Sequence, residues 1–139
     1  KIKVIEKALE INNPDPQDAL DVLAKIGGFE IAGMAGVMLA AAANRVPVLV
    51  DGFISCAAAI IAANLHPHAV EYMLASHLSE EPGHAAALKL LHLEPFLRMK
   101  MRLGEGTGTA LAMTMVDAAL KIVHEMASFS EAGISGKLE

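Results

Sequence analysis

The sequence is poor in cysteine and in aromatic residues: its 139 residues include one cysteine, one tyrosine and no tryptophan. A single cysteine, Cys56, excludes an internal disulfide and is typical of a protein from a reducing cytoplasm. So few aromatic rings leave little surface for stacking on nucleic-acid bases. The apolar runs at 31–43 and 53–65 are shorter than the about 20 residues that a membrane-spanning helix needs. We therefore expect a cytoplasmic chain that binds neither nucleic acid nor membrane.

Positive charge is also scarce, with 11 lysines and arginines against 16 acidic residues and a formal net charge of -5. No basic stripe is present, which argues against a polyanionic partner. A small phosphorylated ligand is still compatible, because a local cluster of donors can bind it. Hydrophobic residues make up 54% of the chain, enough for one domain with a real core. Because the chain begins at Lys1 rather than at methionine, we expect it to be part of a longer protein.

Apolar residues at helical spacing predict helices at 3–12, 29–44, 53–65, 82–92 and 110–128. We expect one more helix to end at Gly27, with Asp15 as its N-cap and Pro16 in the first helical position. Gly33 and Gly36 each weaken the helix at 29–44 by up to about 1 kcal/mol. Their presence predicts another backbone packed closely against that helix.

The clearest strand is 46–50, which is apolar on both faces; 71–75 and 95–101 are weaker candidates. Strands buried on both faces are typical of parallel sheets covered by helices. Helix and strand alternate, so we predict a three-layer, Rossmann-like α/β fold with helices on both faces of a parallel sheet. Two or three strands leave the edges of a sheet open, so the chain should form only part of a full domain. The tail from Glu131 shows no regular pattern.

Polar segments follow each predicted strand, at 51–52, 76–81 and 102–108. In open parallel sheets, ligands bind at the carboxyl ends of the strands. If the three strands are neighbours, these segments converge on one cleft, which is our candidate site.

Glu105 lies between Gly104 and Gly106, shortly before the long helix at 110–128. The glycines let a ligand approach the backbone, and the start of a helix favours an ionised carboxylate. Such a carboxylate can accept a proton. Alternatively, Glu105 only complements the helix dipole and the glycines form a tight turn.

Other polar residues also allow two interpretations. Asp51 could bind a ribose hydroxyl or act as N-cap of the helix at 53–65. Ser79 could contact a ligand or cap the helix at 82–92. Cys56 lies among alanines, which favours inert packing over a nucleophile. The six histidines have no spacing typical of metal ligands, so we expect no metal and no cofactor.

Four motifs spread along the chain are Gly27-Gly28-Phe29-Glu30, Pro47-Val48-Leu49-Val50-Asp51-Gly52-Phe53, Ser76-His77-Leu78-Ser79-Glu80 and Met101-Arg102-Leu103-Gly104-Glu105-Gly106-Thr107-Gly108. In this order and spacing they resemble the motifs of the nicotinate-nucleotide–dimethylbenzimidazole phosphoribosyltransferases of cobalamin synthesis. That family's chains are much longer. The resemblance therefore implies that residues 1–139 are the C-terminal portion of a single phosphoribosyltransferase α/β domain.

The resemblance also implies an activity. A pentosyltransferase of this family, acting as a homodimer, moves phosphoribose from nicotinate mononucleotide to 5,6-dimethylbenzimidazole and releases α-ribazole 5′-phosphate and nicotinate. The family's Gly-Glu-Met-Gly-Ile-Gly segment, which helps to hold the nucleotide, is not in this sequence. We therefore expect the chain alone to be inactive.

The family's motif assigns roles around the glycine-rich turn. Its catalytic glutamate, the proton acceptor, falls on Glu105, and Gly104 and Gly106 frame that residue. The leucine that lines the base pocket falls on Leu103.

Further substrate-binding positions carry over in the same way. The aspartate after the strand falls on Asp51, next to Gly52, and the serine of the Ser-His-x-Ser motif falls on Ser79. A phosphate-binding lysine falls on Lys1.

Two other functions fit the residues without the resemblance. One is a non-catalytic α/β module that binds nicotinate mononucleotide or an aromatic base without transferring it. The other is a structural or dimerisation role for the apolar helix that begins at Phe29.

Overall fold

The computed structural model describes residues 1–134. It has α-helices α1 (Ile2–Asn12), α2 (Ala19–Ile26), α3 (Phe29–Ala43), α4 (Phe53–Leu65), α5 (His84–Leu90) and α6 (Thr107–Glu125). Its strands are β1 (Val48–Val50), β2 (Met73–Ala75), β3 (His77–Ser79) and β4 (Leu97–Met101), and a 3₁₀ helix covers Pro67–Tyr72. The tail predicted from Glu131 forms turns up to residue 134; the remainder of that tail lies outside the described residues.

The strands form one interrupted parallel sheet. β1 pairs with β2, and β4 pairs with β3, both in parallel. Only Ser76 separates β2 from β3: its N–H donates to the Val50 carbonyl at 3.0 Å, and its carbonyl accepts from the Leu97 N–H at 3.0 Å. β2 and β3 are therefore halves of a central strand flanked by β1 and β4, so the condition for the polar segments to converge is met.

Helices cover both faces of this sheet. Met73 and Ala75 point into the main core, which they share with Cys56 of α4. Leu74 alternates with them and points to the opposite face, where it lines a cavity together with Met115 and other residues of α6. Because side chains alternate along a strand, α4 and α6 lie on opposite sides. The predicted α/β class with two helical layers is confirmed.

The core is built from small side chains. Helix α4 buries Cys56, Ala58, Ala59, Ile61 and Ala62, and α3 packs along it. Burial raises the pKa of the Cys56 thiol to about 11, so the thiolate is scarce at neutral pH. Inert packing of Cys56 is confirmed.

The start of α2 differs from the prediction. Its N-cap is Asp18, whose carboxylate accepts from the N–H groups of Leu20 at 2.9 Å and Asp21 at 3.1 Å. Asp15 instead accepts from the Gln17 N–H at 2.9 Å. The intervening residues form a turn, so the helix begins one turn later than the proline suggested.

Several element boundaries also differ. The segment at 71–75 is a strand only in its last three residues, because the 3₁₀ helix occupies its start. β3 was not predicted. The segment at 95–101 does contain a strand, with Lys100 in a left-handed conformation (φ 53°) beside an irregular register.

The prediction of a close backbone neighbour at Gly33 and Gly36 is wrong for the described residues. A Cβ added at either position would meet no atom within 4 Å. The same helix leaves Phe29 97% exposed and Val37 63% exposed. The glycines therefore lie on an open apolar face of α3.

Leu88 and Leu90, in the same short helix, test the position of the core. Leu88 is 3% exposed and Leu90 is 70% exposed. We expect Leu88→Ala to lower the free energy of unfolding by about 2–5 kcal/mol, the range for a truncated core leucine. Leu90→Ala should change it by no more than about 0.5 kcal/mol. Urea unfolding followed by circular dichroism measures both, and equal losses would contradict this position of the core.

Candidate active site

A cavity of about 590 Å³ lies at the carboxyl ends of β1, β3 and β4. This volume falls within the range of about 300–1,000 Å³ that is typical of small-molecule pockets. The lining includes Asp51 and Gly52 after β1, His77 and Ser79 from β3, and residues 102–106 after β4. The three polar segments therefore converge on one cleft, as the sequence predicted.

Glu105 lines this cavity from an unusual backbone conformation. Gly104, Glu105 and Gly106 have φ values of 79°, 56° and 74°, so three successive residues are left-handed. For a residue with a Cβ this conformation costs roughly 1–2 kcal/mol. Strained backbone that persists in a folded protein is concentrated at functional sites. Glu105 is an exposed residue that lines this cavity.

Asp51 holds this turn against the sheet. One carboxylate oxygen, Oδ2, accepts from the Gly106 N–H at 3.3 Å. The other, Oδ1, accepts from the backbone N–H and the hydroxyl of Thr109, both at 3.1 Å. Capping of α4 by Asp51 is wrong, because the N-cap of α4 is Gly52 without a side-chain hydrogen bond. The predicted ribose contact of Asp51 stays a prediction.

His77 lies beneath the first turn of α6. Its side chain is 2% exposed, and its Nδ1 is 3.0 Å from the Ser76 hydroxyl and 3.8 Å from Asp51 Oδ1. A Cβ at Gly108 would overlap the imidazole ring. Only glycine therefore lets the helix approach this histidine so closely.

Ser79 does not cap a helix, so that interpretation is wrong. Helix α5 begins at His84, and its N-cap Gly83 makes no side-chain hydrogen bond. The Ser79 hydroxyl accepts from the Glu81 N–H at 3.2 Å, and the Ser79 N–H donates to His84 Nδ1 at 2.9 Å. Ser79 still lines the cavity, so a ligand contact remains open to it.

Leu103 lines the cavity, whereas Lys1 does not. Leu103 lines the cavity with 74% of its surface exposed, which is compatible with contact to a ligand ring. Lys1 is the N-cap of α1, is exposed and does not line this cavity. The Arg102 guanidinium does line it, 3.9 Å from the Glu81 carboxylate.

Two residues important to the site were not singled out from the sequence. Thr109 and Ser76 act through partners that are 58 and 26 residues away. Ser76 stood out in the sequence only as the first serine of the Ser-His-x-Ser motif. No local signal pointed to Thr109.

The described residues contain no cluster of three or more histidine, cysteine or acidic side chains that could hold a metal ion. Within residues 1–134, no helix combines the length and the apolar character needed to cross a bilayer.

A parallel α/β sheet with a cavity at its strand ends defines a small-molecule-binding domain, and comparison assigns it to a family. A family model described as phosphoribosyltransferase matches residues 1–134. The chain belongs to this phosphoribosyltransferase family. The resemblance drawn from the four motifs is therefore confirmed.

Two relatives of this chain have a more specific name than the family model. The chain is 61% identical over 139 residues to a nicotinate-nucleotide–dimethylbenzimidazole phosphoribosyltransferase of Chloroflexus aggregans, covering 100% of this chain and 39% of that protein. A protein of the same name from Geobacter sp. strain M21 is 56% identical over 97% of this chain, again 39% of the relative. The chain thus spans about two-fifths of the length of these relatives.

A solved structure of a protein with the same name also matches this chain. The crystal structure of the phosphoribosyltransferase of that name from Thermus thermophilus matches with a TM-score of 0.87 and 40% sequence identity. The match covers 96% of this chain and 40% of the other.

Gly108 and Gly33 provide a pair of glycine-to-alanine tests with opposite expected signs. Gly108→Ala forces the new methyl into the His77 ring. We expect the free energy of unfolding to fall by about 1–3 kcal/mol, as for other overpacked sites. The methyl of Gly33→Ala meets open space. This substitution should raise the free energy of unfolding by up to about 1 kcal/mol, because alanine has the higher helix propensity. Denaturant unfolding measures both values. A neutral Gly108→Ala would contradict the close approach of α6.

His84 predicts a pH dependence of stability. Burial lowers the pKa of His84, His77 lowers it further, and Asp51 partly opposes them. The folded-state pKa is therefore below the ordinary 6.5, and below that pH the unfolded chain binds more protons. Stability should fall as the pH drops from 7 towards 5. His84→Gln, whose amide oxygen can replace Nδ1 as acceptor, should flatten this fall.

The control for the pH test is His124→Gln, because His124 is exposed on α6. Urea midpoints at pH 7 and pH 5 provide the comparison. His124→Gln should retain the wild-type difference between the two midpoints. An unchanged difference in His84→Gln would show that another group is responsible.

Proposed function

We propose that the protein to which this chain belongs transfers phosphoribose from nicotinate mononucleotide to 5,6-dimethylbenzimidazole. The products are α-ribazole 5′-phosphate and nicotinate, within cobalamin synthesis. The family match and the names of the relatives support the reaction class. The placement of Glu105 at the strand-end cavity is the observation that carries the proposal to this chain.

Glu105 is the proposed general base. One ring nitrogen of neutral dimethylbenzimidazole carries hydrogen, and the other carries a lone pair. When the carboxylate takes the proton from the first nitrogen, the second attacks the anomeric carbon without building a full positive charge. The bond from that carbon to nicotinate breaks, and its electron pair neutralises the pyridinium nitrogen. Attack from the face opposite the leaving nicotinate inverts the β configuration to α.

The backbone around Glu105 suits this role. Glu105 lies between two left-handed glycines, is exposed and lines the cavity. A base held at the correct distance from the substrate proton contributes about 10²–10⁴-fold in rate. Leu103, two residues away, offers an exposed apolar surface for the aromatic base.

The remaining site residues are proposed to bind the nucleotide. Asp51 would accept a hydrogen bond from a ribose hydroxyl, the Ser79 hydroxyl would contact the nucleotide, and Gly52 is the N-cap of α4 at the cavity. The positive end of the α4 dipole favours an anion there. Lys1 is also proposed to bind the phosphate, but neither Lys1 nor any residue of α1 lines this cavity.

We also propose that the protein works as a homodimer in the cytoplasm. The open apolar face of α3, which includes Phe29, supports a contact with a partner. The single buried cysteine is compatible with a reducing compartment.

Glu105→Gln tests the proposed base in the complete protein. The amide preserves the size of the side chain but cannot take the proton, so turnover should fall at least about a hundredfold. Release of nicotinate and formation of α-ribazole 5′-phosphate, followed by chromatography, measure the turnover. Glu125→Gln, an exposed substitution at the end of α6, should retain wild-type activity. Near-normal turnover in Glu105→Gln would remove Glu105 from the mechanism.

The same assay separates the enzyme from a binding module. A protein that binds nicotinate mononucleotide but never releases nicotinate in the presence of dimethylbenzimidazole would contradict the transferase proposal. Binding is measured independently by calorimetry.

A further inference from the structure

We propose that Thr109, acting with Asp51, is a positioning residue for Glu105, and this inference rests on the transferase function proposed above. Thr109 does not line the cavity, so it would act on the reaction through the turn. The two residues form a clamp, defined as the hydrogen bonds that the Asp51 carboxylate accepts from Gly106 and Thr109.

The local hydrogen bonds of the turn determine its shape only. The backbone N–H and the hydroxyl of Thr107 both donate to the Gly104 carbonyl, at 3.1 Å and 2.7 Å. The Ala110 N–H donates to the Gly106 carbonyl at 2.9 Å. In each of these bonds the donor and the acceptor lie within four residues of each other. These bonds would persist if the turn swung away from the sheet as a unit.

The hydrogen bonds of the clamp determine where the turn lies. They join Asp51 at the end of β1 to positions 55 and 58 residues further along the chain. The Asp51 side chain is 16% exposed, so water competes only weakly for these bonds. Hydrogen bonds to an ionised carboxylate are roughly twice as strong as neutral ones. The clamp therefore connects the Glu105 turn to the strand ends that form the opposite wall of the cavity.

The clamp also satisfies a requirement of α6. The first N–H groups of a helix lack partners within the helix, and a side chain at the N-cap normally supplies an acceptor. Here the N-cap is Gly106 in a left-handed conformation (φ 74°), without a capping side chain. Asp51 provides the missing acceptor from another strand. Gly106 is thereby free to adopt the conformation that exposes Glu105.

The Thr109 hydroxyl has a specific part in this arrangement. It lies 3.1 Å from Asp51 Oδ1 and 3.1 Å from the Gly106 carbonyl, and its single hydrogen can serve only one acceptor at a time. The carboxylate is the stronger acceptor. A carboxylate offers about four acceptor positions, so Asp51 can hold the clamp and still accept a hydrogen bond from a sugar hydroxyl.

The test compares Thr109→Val, which keeps the branched shape but removes the hydroxyl, with Thr109→Ser, which keeps the hydroxyl. In the complete protein we expect Thr109→Val to lower kcat by about tenfold, because a misplaced catalytic group loses rate even without direct contact. KM for nicotinate mononucleotide should change less than about twofold, since the Thr109 hydroxyl acts on the position of Glu105 and Asp51 keeps an acceptor position for the sugar. Thr109→Ser should recover most of the lost turnover.

The Glu105→Gln background separates positioning from general damage. If Thr109 acts through Glu105, Thr109→Val should cause less than about a twofold further loss in that background, because residues that act as one unit are non-additive. A loss of about tenfold in both backgrounds would overturn the proposal. Thr109→Ala carries the same comparison if Thr109→Val does not fold.

Hydrogen exchange tests the clamp independently of activity. In the complete protein, peptides covering 102–110 should take up deuterium faster in Thr109→Val than in the wild type. Thr114→Val is the matched control, because Thr114 is exposed further along α6; it should leave that uptake and the turnover unchanged. Equal uptake in Thr109→Val and the wild type would overturn the clamp.

The activity assay and the hydrogen-exchange measurement together distinguish this inference from the proposed function. If the wild-type protein releases no nicotinate, the transferase proposal fails and Thr109 has no catalytic role. The exchange result would then still decide whether Asp51 and Thr109 hold the turn. If the wild type is active and the exchange rates are equal, only the positioning proposal fails.

Discussion

The hydrogen bonding of Ser76 is the constraint on which the rest of the structure depends. This fully buried residue bonds to β1 through its N–H and its hydroxyl, at 3.0 Å and 2.8 Å, and to the residue that begins β4 through its carbonyl, at 3.0 Å. Three of the four strands have only three residues. Together with the Phe96 N–H, which donates to the Ala75 carbonyl at 3.1 Å, Ser76 joins the two strand pairs. The convergence of the strand ends, and hence the cavity, depends on this junction.

Strands this short need support from both sides. The central strand meets the small-residue core of α4 on one face and the apolar side of α6 on the other. α6 therefore has two tasks, because its start carries the clamp and buries Gly108 and Ala112, while its later turns border a cavity beside Leu74. A shift of this helix would move the proposed base and expose Leu74 at the same time.

The sequence predicted much of the fold because long apolar periodicities dominate it. Helices α3 and α4 and strand β1 were recognisable from such patterns, and the meeting of the polar segments followed from parallel pairing. β3 was missed because a three-residue strand with a histidine and a serine has no distinctive pattern. The clamp partners of Asp51 were not predictable, since contacts 55 to 58 residues apart leave no local signal.

Glycine positions show the same limit of sequence reasoning. Gly106 is required by its left-handed φ and Gly108 by contact with His77, whereas Gly33 faces open space. All of these positions look alike as letters in a sequence. Only the three-dimensional surroundings reveal which of them tolerate a side chain.

The left-handed backbone at Glu105 has a consequence for protein engineering. Glycine at this position would relieve roughly 1–2 kcal/mol of conformational strain, so it would raise the melting temperature. A directed-evolution campaign that rewards heat resistance alone would thus favour variants without the carboxylate. Selection for heat resistance and selection for the proposed chemistry would therefore act in opposite directions at this single residue.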